Sequence, residues 1–348
     1  MLTALAAIVL SVPYVTVIQT PNSGIQPQAA VDSGGTIHLI YFTGKAEAGN
    51  LEYVQSKDGG ETWTDPLKVN SDSNTAVAIG TIRGGQIAVS PSGHVHVVWL
   101  GTSKSPGLFY SQKRSTDQGF TVQRDLVDKT VNLDGGASVA CDDASVYVVW
   151  HAATKQTDGE DNRRLWLRAS RDVGKTFSPK SALISDLGAC ACCSTKAAVD
   201  SRGRLIAMYR SAFQSVDRDA YSVGWSWSFQ VSKEKLDTWR VETCPMSSFS
   251  ILASNPTVRA WETKGRVVVD GKVLPEDSAK HPSLARMDGT VLCAYVVGSG
   301  WQKGGVLAWS LFGPDGKIVE SKKTEEAIPM WSLASAVAVP SRGYLIFK

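Results

Sequence analysis

One octapeptide constrains this chain more than any other feature. It reads Ser-x-Asp-x-Gly-x-Thr followed by an aromatic or aliphatic residue. It occurs as Ser56, Asp58, Gly60, Thr62 and Trp63, as Ser115, Asp117, Gly119, Thr121 and Val122, and as Ser170, Asp172, Gly174, Thr176 and Phe177. The Asp positions lie 59 and 55 residues apart (58 to 117, 117 to 172). A decayed copy is read at Ser232, Glu234, Thr238 and Trp239. The physics of the motif is that of a turn. A short carboxylate accepts bonds from nearby backbone N–H groups, and glycine takes the left-handed conformation. Three copies at near-constant spacing mean a repeated supersecondary unit rather than a single irregular fold.

A second landmark runs in step with the first: an apolar strand, a small polar turn, and another apolar strand ending in an aromatic residue. The copies are 29–42, 87–99, 138–150, 196–209, 249–261, 283–295 and 336–347. Alternating apolar positions around turn residues predict a β-hairpin at each. Hairpins at this interval, with no helical periodicity between them, predict an all-β propeller of six or seven four-stranded antiparallel blades. Only 28 residues separate Trp261 from the next hairpin turn at Gly289 (261 to 289), so that blade should be short or irregular. Residues 14–19 are expected to complete the last blade and close the ring. The stop at Lys348, inside a strand, reads as the end of a fragment. Residues 14–348 are read as one domain, with a monomer expected.

The balance of 36 basic and 33 acidic residues, net +3, argues against a nucleic-acid footprint. The opening MLTALAAIVLSV is apolar and reads as a signal peptide or an N-terminal strand over residues 1–13. It is too short to span a membrane as a helix. The expected location is secreted or periplasmic.

The three octapeptides and the hairpin rhythm resemble the Asp-box (BNR) repeat propellers, which include the sialidases. The stretches GTIRGGQIAV, CACC and CPMSS are similar to an uncharacterised bacterial subgroup of them. The resemblance implies an active face opposite the Asp-box turns, formed by the B–C loops of the blades and the links from each strand D to the next strand A. It also implies arginines gripping a substrate carboxylate, an acid/base carboxylate and a Tyr nucleophile.

The links hold Arg83, Asp134, Cys190, Cys192, Cys193, Cys244, Met246, His281 and Trp331. The B-strand ends and B–C loops hold His151, Arg163, Arg164, Arg210, Arg218, Asp219, Glu262 and Trp301. Reactive side chains therefore concentrate on one face. Arg83, Arg210 and Arg218 are the candidate substrate-binding residues. Asp134, Asp219, Glu262 and His151 are the candidate acid/base groups. Tyr41 and Tyr295 are nucleophile candidates by strand-end position only, and the Arg-Ile-Pro stretch of the sialidases is absent. The alternative is that these arginines tie adjacent blades together.

Cys190, Cys192 and Cys193 fall in one link, and Cys244 and Met246 in the next, so they should meet in space. An exported chain favours a disulfide, such as Cys244 with one of the CACC cysteines. Soft sulfur ligands would otherwise take copper, or zinc as second choice. A redox-active or nucleophilic cysteine is the remaining reading. Three functions follow: an exo-glycoside hydrolase on an acidic or polyhydroxylated glycan, needing no cofactor; a non-catalytic propeller binding a glycan or protein; and a metal or redox protein built on the cysteines.

Overall fold

The computed structural model describes residues 14–127 and 132–348. The apolar opening over residues 1–13 lies outside them. The described chain forms a seven-bladed β-propeller with no helix beyond two short 3-10 turns. No helix among the described residues is long and apolar enough to cross a membrane.

Blade 1 runs Ile25–Val31, Ile37–Lys45, Ala48–Ser56 and Leu67–Lys68, as strands A to D from the axis outward. The A strands of blades 2 to 7 are Gln86–Val89, Ser138–Cys141, Lys196–Val199, Phe249–Leu252, Ala279–Met287 and Ser335–Val339. All seven hairpins expected from the sequence join an A strand to a B strand. Blades 1 to 6 are antiparallel and four-stranded, and blade 4 carries an extra short strand at Gly188–Ala189. In blade 7, strands Ser335–Val339 and Gly343–Phe347 are joined by the N-terminal Val15–Ile18, which runs parallel to Gly343–Phe347. The ring is thus closed by residues from both ends of the described chain, as expected, although that blade has three strands.

The three octapeptides lie between strands C and D of blades 1, 2 and 3. In the first and third, the Asp58 and Asp172 carboxylates accept bonds from the Thr62 and Thr176 N–H and hydroxyl groups and from the Ser56 and Ser170 hydroxyls. Gly60 and Gly174 have φ of +87° and +76°, and a Cβ on Gly174 would collide with the Tyr110 hydroxyl of blade 2. In the second, Asp117 caps Arg114 N–H instead. The expected fourth copy is not a turn. Ser232 and Glu234 lie inside strand D of blade 4, Val231–Lys235, which is exposed along its length. Blade 5 is short because strands Arg266–Val269 and Lys272–Val273 are joined by the two residues Asp270 and Gly271, both at positive φ.

Apolar side chains of each blade pack on the next. One cluster joins Tyr147, Val149, Leu165 and Leu167 of blade 3 to Leu205, Ala207, Tyr209 and Val223 of blade 4. Equivalent clusters join every other neighbouring pair, blades 7 and 1 included. Near the axis the A strands of neighbouring blades do not pair with one another, and serines bridge them. Ser138, Ser250, Ser283 and Ser335 each accept the backbone N–H of the next blade, from Ala197, Leu284, Ala336 and Ala29.

Candidate functional site

The A–B and C–D turns of each blade share one face of the disc. The B–C loops and the D-to-A links therefore share the other, which brings the singled-out residues to one side. Three local assemblies form there, not one convergent site.

The first is an open groove of about 680 Å³ over blades 1 to 3. Arg83 and Asp134 line it together with Glu47, Thr102, Asp125 and Gln156. Its size is that of a small-ligand site. Arg83 Nε donates to the Asp134 backbone carbonyl at 2.9 Å, and both Nε and Nη2 donate to Asp134 Oδ1. Nη1 donates to the Ile79 carbonyl at 3.1 Å. The pair is not sealed: the side chains are 22% and 36% exposed. Glu47, Thr102 and Gln156 carry no motif, and only the loop-face rule could have found them.

The second assembly surrounds the cysteines, in the links entering blades 4 and 5. Cys192 is disulfide-bonded to Cys244, the pairing type expected from the sequence. Cys190 and Cys193 are free and buried, with their sulfurs 2.8 Å apart, and Cys190 Sγ is 3.5 Å from Cys192 Sγ. Met246 packs against this cluster. The Ser247 hydroxyl donates to Cys193 Sγ at 3.3 Å and accepts from Arg210 Nε at 2.8 Å. Burial raises the Cys193 thiol, but the Cys190 thiol, Arg210 and Ser247 outweigh it and bring the group below its ordinary value. Burial and the neighbouring sulfur push Cys190 the other way. These sulfurs are the described residues that could hold a metal ion.

The third is a narrow axial channel with about 40 Å³ of free space, lined by Gln28, Gln86, Lys196, Ser248, His281 and Ser283. Lys196 Nζ donates to Gln86 Oε1 at 3.2 Å, and burial lowers its pKa to about 8. Ser248 Oγ lies 3.1 Å from His281 Nδ1, and burial lowers that imidazole to about 3. Over the channel mouth, Lys280, Met246 and Gly300 line a small recess. Beside it Trp301, 53% exposed, meets Trp331 edge-on at 4.8 Å between centroids.

The arginine cluster expected from the sequence does not form. Arg210 is fully buried, and its guanidinium is used up by Ser247 Oγ and by the backbone carbonyls of Arg218 and Glu262, above the Trp239 ring. Arg218 makes a bidentate pair with Glu160 at 3.1 and 2.8 Å. Neither presents a free fork to a ligand, so both tie the blades together. His151 is likewise a strut. Its Nδ1 accepts from Arg163 Nη2 at 3.0 Å, its Nε2 donates to the Cys193 carbonyl at 2.7 Å, and burial holds its pKa near 3. Asp219 is paired with Lys235 at 2.8 Å and caps Trp239 N–H, in a separate groove beside blade 4. Glu262 is buried, with Lys280 Nζ 3.5 Å from Oε1 and no partner at Oε2, and burial raises it to about 7. Tyr295 and Tyr41 are interior, one in the interface of blades 5 and 6 and the other in that of blades 7 and 1.

No family model and no curated protein matches the chain. Solved structures share its shape. A Dyadobacter fermentans protein of unknown function is 12% identical with a TM-score of 0.56, over 85% of this chain and 97% of that one. An α-L-arabinofuranosidase from Fusarium graminearum is 12% identical with a TM-score of 0.56, over 87% and 98%. The Hadza microbial sialidase Hz136 is 11% identical with a TM-score of 0.51, over 94% and 66%. At these identities the likeness is one of fold.

Proposed function

We propose that this chain is an exported glycan-acting propeller, kin to the Asp-box proteins, whose ligand is a neutral polyhydroxylated sugar held in the groove over blades 1 to 3. The groove itself carries the reading, because it alone puts Arg83 and Asp134 in contact with solvent on the loop face. Among the described residues, the carboxylates of Glu47 and Asp134 line it beside the guanidinium of Arg83. That balance repels an anionic sugar and suits hydroxyl groups, which carboxylates and amides bind as acceptors. Arg210 and Arg218, which an acidic substrate would need, are spent on internal partners. The arabinose-directed enzyme among the shape neighbours agrees with a neutral sugar. Glycoside hydrolysis needs two carboxyl groups across the scissile bond, and Glu47 and Asp134 both line the groove. The Cys192–Cys244 disulfide supports export.

The test uses a panel of fluorogenic aryl glycosides, arabinosides and sialosides included, with a glycan array beside it. Turnover of a neutral glycoside that is lost in Asp134→Asn would support a hydrolase in this groove. Binding without turnover, weakened in Arg83→Ala, would support a binding propeller. Activity confined to sialosides, or glycan binding unaffected by both substitutions, would overturn the assignment.

A further inference from the structure

The sulfur cluster is separate from the sugar groove and shares no residue with it. Three cysteine sulfurs, those of Cys190, Cys192 and Cys193, lie within 4.8 Å of one another. Metal–thiolate bonds of about 2.3 Å place sulfurs around one ion roughly 3.8–4.0 Å apart. Cys190 Sγ lies 2.8 Å from Cys193 Sγ and 3.5 Å from Cys192 Sγ, so the three sulfurs already converge and would spread slightly to enclose one ion. Among the described residues, the donors of this cluster are all sulfur. The nearby imidazole, His151, has both nitrogens engaged by Arg163 and the Cys193 carbonyl. Met246 adds a thioether, a donor that favours Cu(I).

The electrostatics fit bound thiolates. Arg210 is a buried cation whose hydrogen-bond acceptors are all neutral, and its nearest carboxylate oxygen, on Asp237, is 4.0 Å away. Its Nε bond to Ser247 Oγ, with the Ser247 hydroxyl aimed at Cys193 Sγ, directs that charge onto the sulfurs. In the observed state one donor is withheld, because Cys192 is bonded to Cys244. Cys192 is buried, whereas Cys244 stands exposed on the link before blade 5, where a reductant can reach it.

We propose that Cys190, Cys192, Cys193 and Met246 form a Cu(I) site that is closed while Cys192 is bonded to Cys244 and opens when that bond is reduced. Two molecules of a small thiol supply the two electrons and two protons. They leave as their own disulfide, and Cys192 and Cys244 become thiols. Cu(I) then binds three thiolates and the thioether and displaces the thiol protons. Cys244 remains on the surface link as a free thiol.

The experiment titrates Cu(I), supplied as its bicinchoninate complex under anaerobic conditions, into the full chain with and without prior reduction. One Cu(I) per reduced chain is expected, with an ultraviolet thiolate-to-copper band, and none for the oxidised chain. A Cys190→Ser/Cys193→Ser variant, with its fold checked by circular dichroism, should lose the site. Cys141→Ser/Cys293→Ser should keep it. Met246→Leu, which conserves volume, should weaken Cu(I) roughly tenfold or more, in the range seen when a partner at a metal centre is removed, and leave Zn(II) affinity unchanged. Equal Cu(I) uptake by the oxidised chain would overturn the gate. Retention by the Cys190→Ser/Cys193→Ser variant would overturn the site. Equal affinity in Met246→Leu would overturn the thioether and with it the preference for copper.

Discussion

Arg210 and Glu262 show what single buried charges do here. Removing Arg210 strands two buried carbonyls and a hydroxyl, each costing about 1–3 kcal/mol. Arg210→Met should therefore lower the urea-unfolding free energy by several kcal/mol, and Arg210→Lys should not restore it, because an ammonium cannot reach three divergent acceptors. Glu262 gives a pH signature. Burial raises it to about 7, whereas an unfolded glutamate titrates near about 4.3. Between those values the native state holds a proton that the unfolded chain has released. Stability is then greatest below the window and falls as pH rises through it to about 7. Comparing urea midpoints near pH 5 and near pH 8 should show this fall, and Glu262→Gln should flatten it. Persistence of the slope in the variant would assign it to another group. The sequence placed Arg210 and Glu262 on the loop face correctly, but it could not show that they are spent internally. Their partners are main-chain carbonyls and a lysine 18 residues on (262 to 280), which no side-chain pattern marks.

Among the elements, the hairpins were the most legible part of the chain, because alternation of apolar residues is imposed directly by the two-residue period of a strand. The strand D copy at Ser232–Trp239 misled for the same reason: polar residues at turn-like spacing also describe an exposed edge strand, and Val231–Lys235 is exposed throughout. The serine bridges between A strands left no trace that one sequence could reveal, since a serine within a strand is unremarkable until its neighbour is known. Ser250→Ala should strand the buried Leu284 N–H and cost about 1–3 kcal/mol, read as a shifted urea midpoint. An unchanged midpoint would mean that the two blades close up to pair directly. Gly174→Ala should also lower the melting temperature, because the new Cβ meets both an unfavourable φ and the Tyr110 hydroxyl.

For the whole molecule, the regular repeat predicted a ring, and the ring predicted that successive links are neighbours. That step made the meeting of Cys190, Cys192 and Cys193 with Cys244 and Met246 readable in advance. The groove of blades 1 to 3 was readable only in part, through Arg83 and Asp134, because the B–C loops that supply its other walls follow no repeat. The disulfide has one more consequence. Cys192 and Cys244 are 52 residues apart, and all four main strands of blade 4 lie between them. Within that span the turn at Phe213–Ser215 is exposed. Chymotrypsin cutting after Phe213 should therefore give a nicked protein that still migrates as one band on a denaturing gel and separates into two fragments only when dithiothreitol is added.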